Sequence, residues 1–318
     1  MESIRIIMNE CTMPDKRVQI LLSTYNGECY LREQIESFLT LDRYEQIKVM
    51  IRDDGSTDNT VMILKEYEKK SNFNIVYGEN LGITGSYMWL LKHYDKECDY
   101  FAFSDQDDIW LPDKIAIALD LLDGEQQNKP LLFASLSHIV DEKLNSLGSS
   151  RLPVRGISYY NAMIQNVLPG HTQVINKALL EIVLDKGCTD VHVIDWWYYL
   201  AASAVGEILF YPEFTVLHRQ HGDNAVGVEK NPVKNLVKRL KYIKDGRGNA
   251  FSKQLNSFYT RYDDMMPEEF RIETEMFFSS MRSFFMRVYY VLHCKVYRQS
   301  PIENLLFKTL YILGKYNV

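Results

Sequence analysis

The chain has 318 residues and a formal charge of −6, enough for one large domain with an appendage or for two domains. Hydrophobic residues make up 46% and charged residues 25%, which excludes a disordered chain. The charge is uneven: residues 231–318 hold 15 Lys+Arg against 8 Asp+Glu, a net of +7, and residues 1–230 hold 21 against 34, a net of −13.

Residues 1–17 read as a short leader without the basic-then-apolar pattern of a signal peptide. Residues 18–22 predict a buried strand, followed by the turn Ser23-Thr24-Tyr25-Asn26-Gly27. Residues 30–41 predict an amphipathic helix with Leu31, Ile35, Phe38 and Leu39 on one face. A second strand over 47–51 ends in Arg52-Asp53-Asp54-Gly55-Ser56, and helical spacing resumes from 57 to 70. A strand over 74–77, a helix over 82–94 and a strand over 100–104 follow. Strand–helix alternation of this kind predicts an α/β fold with a mainly parallel sheet flanked by helices. Ligands bind such sheets beyond the carboxyl ends of the strands, where the turns at 23–27, 53–56 and 105–108 fall.

The most informative segment is Phe101-Ala-Phe-Ser-Asp-Gln-Asp-Asp-Ile-Trp110. An apolar strand stops at three carboxylates, Asp105, Asp107 and Asp108. Their mutual repulsion would be relieved by a hard cation such as Mn2+ or Mg2+. Asp113, after Pro112, reads as a helix-start residue. Residues 53–58 taken alone read as a solvated turn capping the next helix.

Further along, 131–137 and 174–176 predict strands, 194–204 a helix and 215–217 a strand. From 232 onward the pattern is helical and basic, with Lys234, Lys238, Arg239, Lys241 and Lys244 at near-helical spacing. Cys11, Cys29, Cys98, Cys188 and Cys294 are scattered and form no C-x-x-C pair, as expected of thiols in a reducing cytoplasm. No stretch is apolar for long enough to span a bilayer; the longest, 276–292, is interrupted by Arg282 and Arg287.

Leu-Leu-Ser-Thr-Tyr-Asn-Gly (21–27), Arg-Asp-Asp-Gly-Ser-Thr-Asp (52–58), Asn-Leu-Gly (80–82) and Ser-Asp-Gln-Asp-Asp-Ile-Trp (104–110) occur in this order. Together they resemble the inverting glycosyltransferase family 2, and the last motif resembles its bacterial rhamnosyltransferase-type branch. The resemblance covers about residues 18–227. It implies a GT-A nucleotide-sugar domain over 1–230, followed by a basic helical region over 231–318 that contacts membrane, acceptor or a second subunit. Ser23 and Tyr25 would line the nucleotide pocket, with Asp54, or Asp53, accepting from the pyrimidine N–H. Asp105 would face the ribose, and Asp107 would bind a Mn2+ or Mg2+ ion that offsets the diphosphate charge.

On the acceptor side, Val193-Ile-Asp-Trp-Trp197 embeds one carboxylate among apolar neighbours. The resemblance assigns Asp195 the role of catalytic base, and Ile194 before it leaves no second carboxylate. Trp196 and Trp197 would each either stack on a sugar or belong to the core. Asn166, Gly170 and Thr172 resemble an acceptor-side loop. In the Arg219-Gln-His221 stretch, the resemblance makes His221 a metal ligand and Arg219 a phosphate partner. His138, His192 and His218 read as structural, and His171 receives no role.

The expected activity is transfer of a sugar, L-rhamnose from dTDP-L-rhamnose being the branch's donor, to a saccharide or lipid-linked saccharide in bacterial surface polysaccharide synthesis. A UDP-sugar donor and a non-catalytic glycan-binding protein are the alternatives. A dehydrogenase is disfavoured because no G-x-G-x-x-G follows the first strand, and no nucleic-acid module is recognisable. The expected location is the cytoplasm, at the inner membrane face where a lipid-linked acceptor resides. The 276–292 helix is expected to pack on the body or on a partner subunit, and the basic 234–247 segment to seek anionic membrane.

Overall fold

A computed structural model describes residues 16–222 and 250–316. The leader up to residue 15, Cys11 and the basic 234–247 segment lie outside the described residues.

Four parallel strands form the first half of the sheet: β1 (Val18–Thr24), β2 (Ile47–Asp53), β3 (Phe73–Tyr77) and β4 (Tyr100–Ser104). The second half is mixed, built from β5 (Ile109–Trp110), β6 (Leu131–Val140), β7 (Ser146–Ser149), β8 (Val174–Asn176) and β9 (Glu207–Arg219). Strand order is β3-β2-β1-β4-β8-β6-β9-β5, with β7 on β6. β8 runs antiparallel to both neighbours, and β9 lies parallel to β6 and antiparallel to β5. The β6–β9 register slips at Ser135–Ser137, opposite Pro212 and its neighbours, because proline has no N–H to give the ladder. That proline hides the first half of β9 from sequence patterning, so only 215–217 was legible.

Alternating side chains feed two cores on opposite faces of the sheet. Val18, Ile20 and Leu22 of β1 join one core with helices α1 (Leu31–Leu39), α2 (Thr60–Tyr67) and α4 (Lys114–Leu122). Leu21 of β1, with Phe101 and Phe103 of β4, joins the other. That second core receives α3 (Gly82–Lys92), the one-turn α5 (Tyr159–Ala162), α6 (Lys177–Lys186) and α7 (Ile194–Val205). It continues into α8 (Ala250–Tyr262), α9 (Glu268–Ser280), α10 (Phe284–His293) and α11 (Pro301–Ile312) through Phe258, Phe277, Tyr290 and Tyr311.

The single helix expected over 276–292 is two helices. α9 ends at Ser280, and Ser283 starts α10 by accepting the Met286 N–H on its hydroxyl, which stabilises a new helix start at the expense of continuation. Among the described residues, no helix is long and apolar enough to cross a membrane.

Candidate active site

Because β1, β2 and β4 are parallel and in register, with Thr24 beside Asp53 and Leu22 beside Ser104, their carboxyl ends open at one edge. The three polar turns therefore meet. Gln106, between the two outer aspartates of Asp105–Asp107, holds the first turn: Oε1 accepts from Thr24 Oγ1 (2.7 Å) and Tyr25 N (2.9 Å), and Nε2 donates to Tyr25 O (3.2 Å). Gly27 approaches so closely that a Cβ there would stand 2.6 Å from Gln106 Oε1. The first and second turns are cross-tied, since Asn26 N donates to Ser56 Oγ, Gly27 N to Thr60 Oγ1 and Thr57 N to Asn26 Oδ1. Tyr25 is left exposed at the mouth, and Ser23 hydrogen-bonds Ser86 at 2.6 Å.

The two carboxylates of the second turn are used differently. Asp54 Oδ1 accepts from the Arg52 guanidinium and from Leu81 N (2.8 Å). Arg52 is also held by Ser86 Oγ and Glu79 O. Asp53 Oδ2 accepts from Ser56 N, while its Oδ1 is buried without a hydrogen-bond partner. Asp58 serves the helix start, accepting from Thr60 N.

In the third turn Asp107 Oδ2 lies 2.7 Å from His221 Nε2. Burial, then the charges of Asp108 and Asp105, hold the Asp107 carboxyl well above its ordinary range. Burial likewise raises Asp105, whose side chain still reaches solvent. Asp108 is fully buried and faces two stacked imidazoles, His171 and His218, with centroids 4.4 Å apart. His218 Nδ1 meets Asp108 Oδ1 at 2.8 Å, and His171 Nδ1 lies 3.4 Å from Asp105 Oδ2. Burial opposes charge on His218, but the Asp108 hydrogen bond and charge override it and push it up to about 9. Burial drives His171 down to about 3 and the enclosed Lys114 down to about 7. Asp108, His171 and His218 bring one donor atom each within 4.8 Å of the others. Lys114 Nζ donates to His171 O (3.1 Å), while Asp108 Oδ2 is buried within this polar cluster without a hydrogen-bond partner.

The 166–172 loop and the start of α7 bring up a single carboxylate. Asp195 lies in the first turn of α7, where Oδ2 accepts from Gly170 N (2.8 Å) and Oδ1 from Trp196 N (2.7 Å). Burial raises it to about 6 against those two N–H groups and an Asn166 side-chain hydrogen bond, with the Asp105 charge adding to the rise. Gly170 is needed for the approach, since a Cβ there would be 3.2 Å from Asp195 Cβ. Thr172 is buried behind this loop.

Trp197 takes the second of its two expected places, the core, and Arg219 is turned inward. Trp197 is fully buried, edge-on to Phe258 and Tyr262, so it packs the core and presents no face to a sugar. Trp196 is partly buried and donates to Ala162 O. Arg219, expected on phosphate, is buried beneath the site. Its guanidinium donates to Asp107 O, Glu142 O and Glu33 Oε2 (3.0, 2.8 and 2.6 Å) and lies under the Tyr30 ring. It is a strut that fixes the acidic turn. Gln106, His171, His218 and Lys114 were not singled out by sequence. The one available signal was Gln106's place inside the Asp-x-Asp motif.

Residues 19–152 match the model of glycosyl transferase family 2. The dTDP-rhamnosyl transferase RfbG of Shigella flexneri is 32% identical over 238 residues, 70% of this chain and 79% of that protein. The chain belongs to glycosyltransferase family 2. It is a glycosyltransferase, and its fold is GT-A-like. Residues 1–349 of S. aureus TarS, in complex with UDP-GlcNAc, superpose with a TM-score of 0.56 at 15% identity, covering 94% of this glycosyltransferase and 90% of that fragment. The mannosyltransferase PcManGT of Pyrobaculum calidifontis, in complex with GDP-Man and Mn2+, gives 0.53 at 15% identity, covering 94% and 85%.

Proposed function

We infer that this family-2 enzyme is a metal-dependent inverting glycosyltransferase that transfers L-rhamnose from dTDP-L-rhamnose to a saccharide or lipid-linked saccharide of a bacterial surface polysaccharide. Residues 1–230 would form the catalytic domain and 231–318 the appended helical region, at the cytoplasmic face of the membrane. The observation that carries the reading is the buried carboxyl of Asp195, raised by burial and by the charge of Asp105 in the acidic turn. The rhamnosyl donor rests on the RfbG relative.

The donor set of the acidic turn fits a divalent ion: a carboxylate and an imidazole, Asp107 and His221, already paired and mostly enclosed, with excess negative charge around them. Mn2+ or Mg2+ held there would neutralise charge building on the departing diphosphate. Asp195, ionised above about pH 6, takes the acceptor hydroxyl proton as that oxygen bonds to the sugar C1 and the C1–O bond to the diphosphate breaks. The Gly170 and Trp196 N–H groups aim its oxygens. Ser23 and Tyr25 bound the nucleotide pocket, and Asp105 faces the ribose. Asp54, whose Oδ1 is held by Arg52 and Leu81 N, and Asp53, whose Oδ1 is buried without a partner, are the carboxylates offered to the pyrimidine N–H.

A thermal-shift panel of dTDP, UDP, GDP and CDP with Mn2+, Mg2+ or EDTA tests this, since native-state ligands raise the melting temperature. A metal-dependent shift with dTDP is expected. A shift with UDP alone would replace the donor, and no shift with any nucleotide would overturn the donor site.

A further inference from the structure

The last two helices carry a surface that sugar transfer does not explain. α10 and α11 lie side by side, joined by Arg287 Nε donating to Ile312 O (2.9 Å) and Lys308 Nζ donating to Val291 O (3.2 Å). Both turn one side to the core: Tyr290 from α10, and Phe307, Leu310 and Tyr311 from α11. Their opposite sides are apolar as well. Phe285, Tyr289 and Leu292 recur at i, i+4 and i+7, and Phe285 is 82% and Leu292 74% exposed. Ile302 and Leu305 of α11 are 78% and 68% exposed. A helix that is apolar all round is normally covered on both sides.

The surrounding charge indicates what covers it. Residues 281–316 contain six Lys+Arg and one acidic residue, Glu303. Arg282 and Lys295 flank α10 and Lys315 follows α11, all exposed. Apolar rows with cations at their ends match a helix lying in the interface of an anionic bilayer. With 10 and 12 residues, the two helices are too short to span one.

We propose that the exposed faces of α10 and α11 dock this protein onto acidic phospholipid. The surface is tied to the acceptor side of the site. Tyr297 and Gln299, between the two helices, bond Asn161 and Gln165 (2.9 Å each), and Ala162 in the same segment holds Trp196, next to Asp195. Docking would therefore set the height of the acceptor loop above the bilayer. That last consequence rests on the glycosyltransfer reading, but the docking itself does not.

The test is flotation of the full chain with vesicles of phosphatidylcholine alone or with about a third phosphatidylglycerol. The parent is expected to float with the acidic vesicles only, and less so at high salt. A Phe285→Ser/Leu292→Ser/Leu305→Ser variant should lose at least 10-fold in binding, with an unchanged melting temperature because the three side chains are exposed. Met62→Ser, at an exposed apolar site on α2, should bind like the parent. No flotation of the parent, or a triple variant that floats as well as the parent, would overturn the proposal. So would a dimer in light scattering that the triple variant abolishes, since a second copy would then cover the face. None of these readouts depends on sugar transfer, so a failed donor assignment leaves the result interpretable.

Discussion

Replacing Asp195 with Asn separates the catalytic from the structural role of this carboxyl, because the two predict opposite changes in stability. Moving a carboxyl from 3.8 to about 6 corresponds to about 3 kcal/mol, at about 1.4 kcal/mol per pH unit. The folded-state value is the raised one. The group's contribution is therefore fully present below about pH 4, where both states are protonated, and is lost as pH rises through about 6. At pH 8 the native protein carries a carboxylate that burial opposes, and Asn removes that penalty. The amide accepts the Gly170 and Trp196 N–H groups less strongly, a loss of about 1 kcal/mol, leaving a net gain of about 2 kcal/mol. For a chain of this size that is a rise of about 4 °C in melting temperature at pH 8, shrinking toward zero at pH 4. Nucleoside diphosphate release should meanwhile fall roughly 100- to 10,000-fold, and the parent's kcat/KM should climb with unit slope below pH 6 and level off above it. Turnover near the parent's would remove Asp195 from the reaction. Lost turnover together with a lower melting temperature at pH 8 would make it a structural residue.

Substitutions at four other positions probe the rest of the site. Asp107→Asn or His221→Ala should abolish the Mn2+-dependent part of the nucleotide thermal shift and weaken Mn2+ binding in calorimetry by at least about 10-fold. Gln106→Ala removes the acceptor shared by Thr24 Oγ1 and Tyr25 N, at about 1 kcal/mol; donor KM should rise more than kcat falls, and steady-state kinetics at saturating acceptor would show it. Arg219→Met strips the Asp107 carbonyl and Glu33 of their cation. Urea unfolding should report a loss of about 1–3 kcal/mol, and Arg219→Lys should not restore it because one ammonium cannot reproduce the three-way fork.

Much of the sheet edge was legible because its signals are local. Each of β1, β2 and β4 is an apolar run that stops at a polar turn, and parallel pairing brings the stops together without further information. Side-chain direction was less legible. Trp196 and Trp197 are neighbours in sequence but about 100° apart around a helix, so one reaches toward the Ala162 carbonyl and the other enters the core. The partners of Arg219 cannot be seen from its neighbours in sequence: Glu33 is 186 residues away. His218 and His171 look like isolated histidines until the fold stacks them on Asp108. The break between α9 and α10 rests on one capping serine within an otherwise helical apolar pattern.

The distance along the chain between Asp107 and His221, 114 residues, also orders events during synthesis. At about 5–20 residues per second, the acidic turn leaves the ribosome roughly 5–25 s before the imidazole that meets it. β9 cannot take its place until β6, its partner on one side, is available, and β9 delivers both His218 and Arg219 to the turn. A nascent chain stopped before residue 207 would carry Asp195 and the three polar turns, yet lack the strut and the second half of the Asp107–His221 pair. The edge at β1, β2 and β4 can form early, whereas the Asp107–His221 centre closes last, so a half-made chain has no complete site.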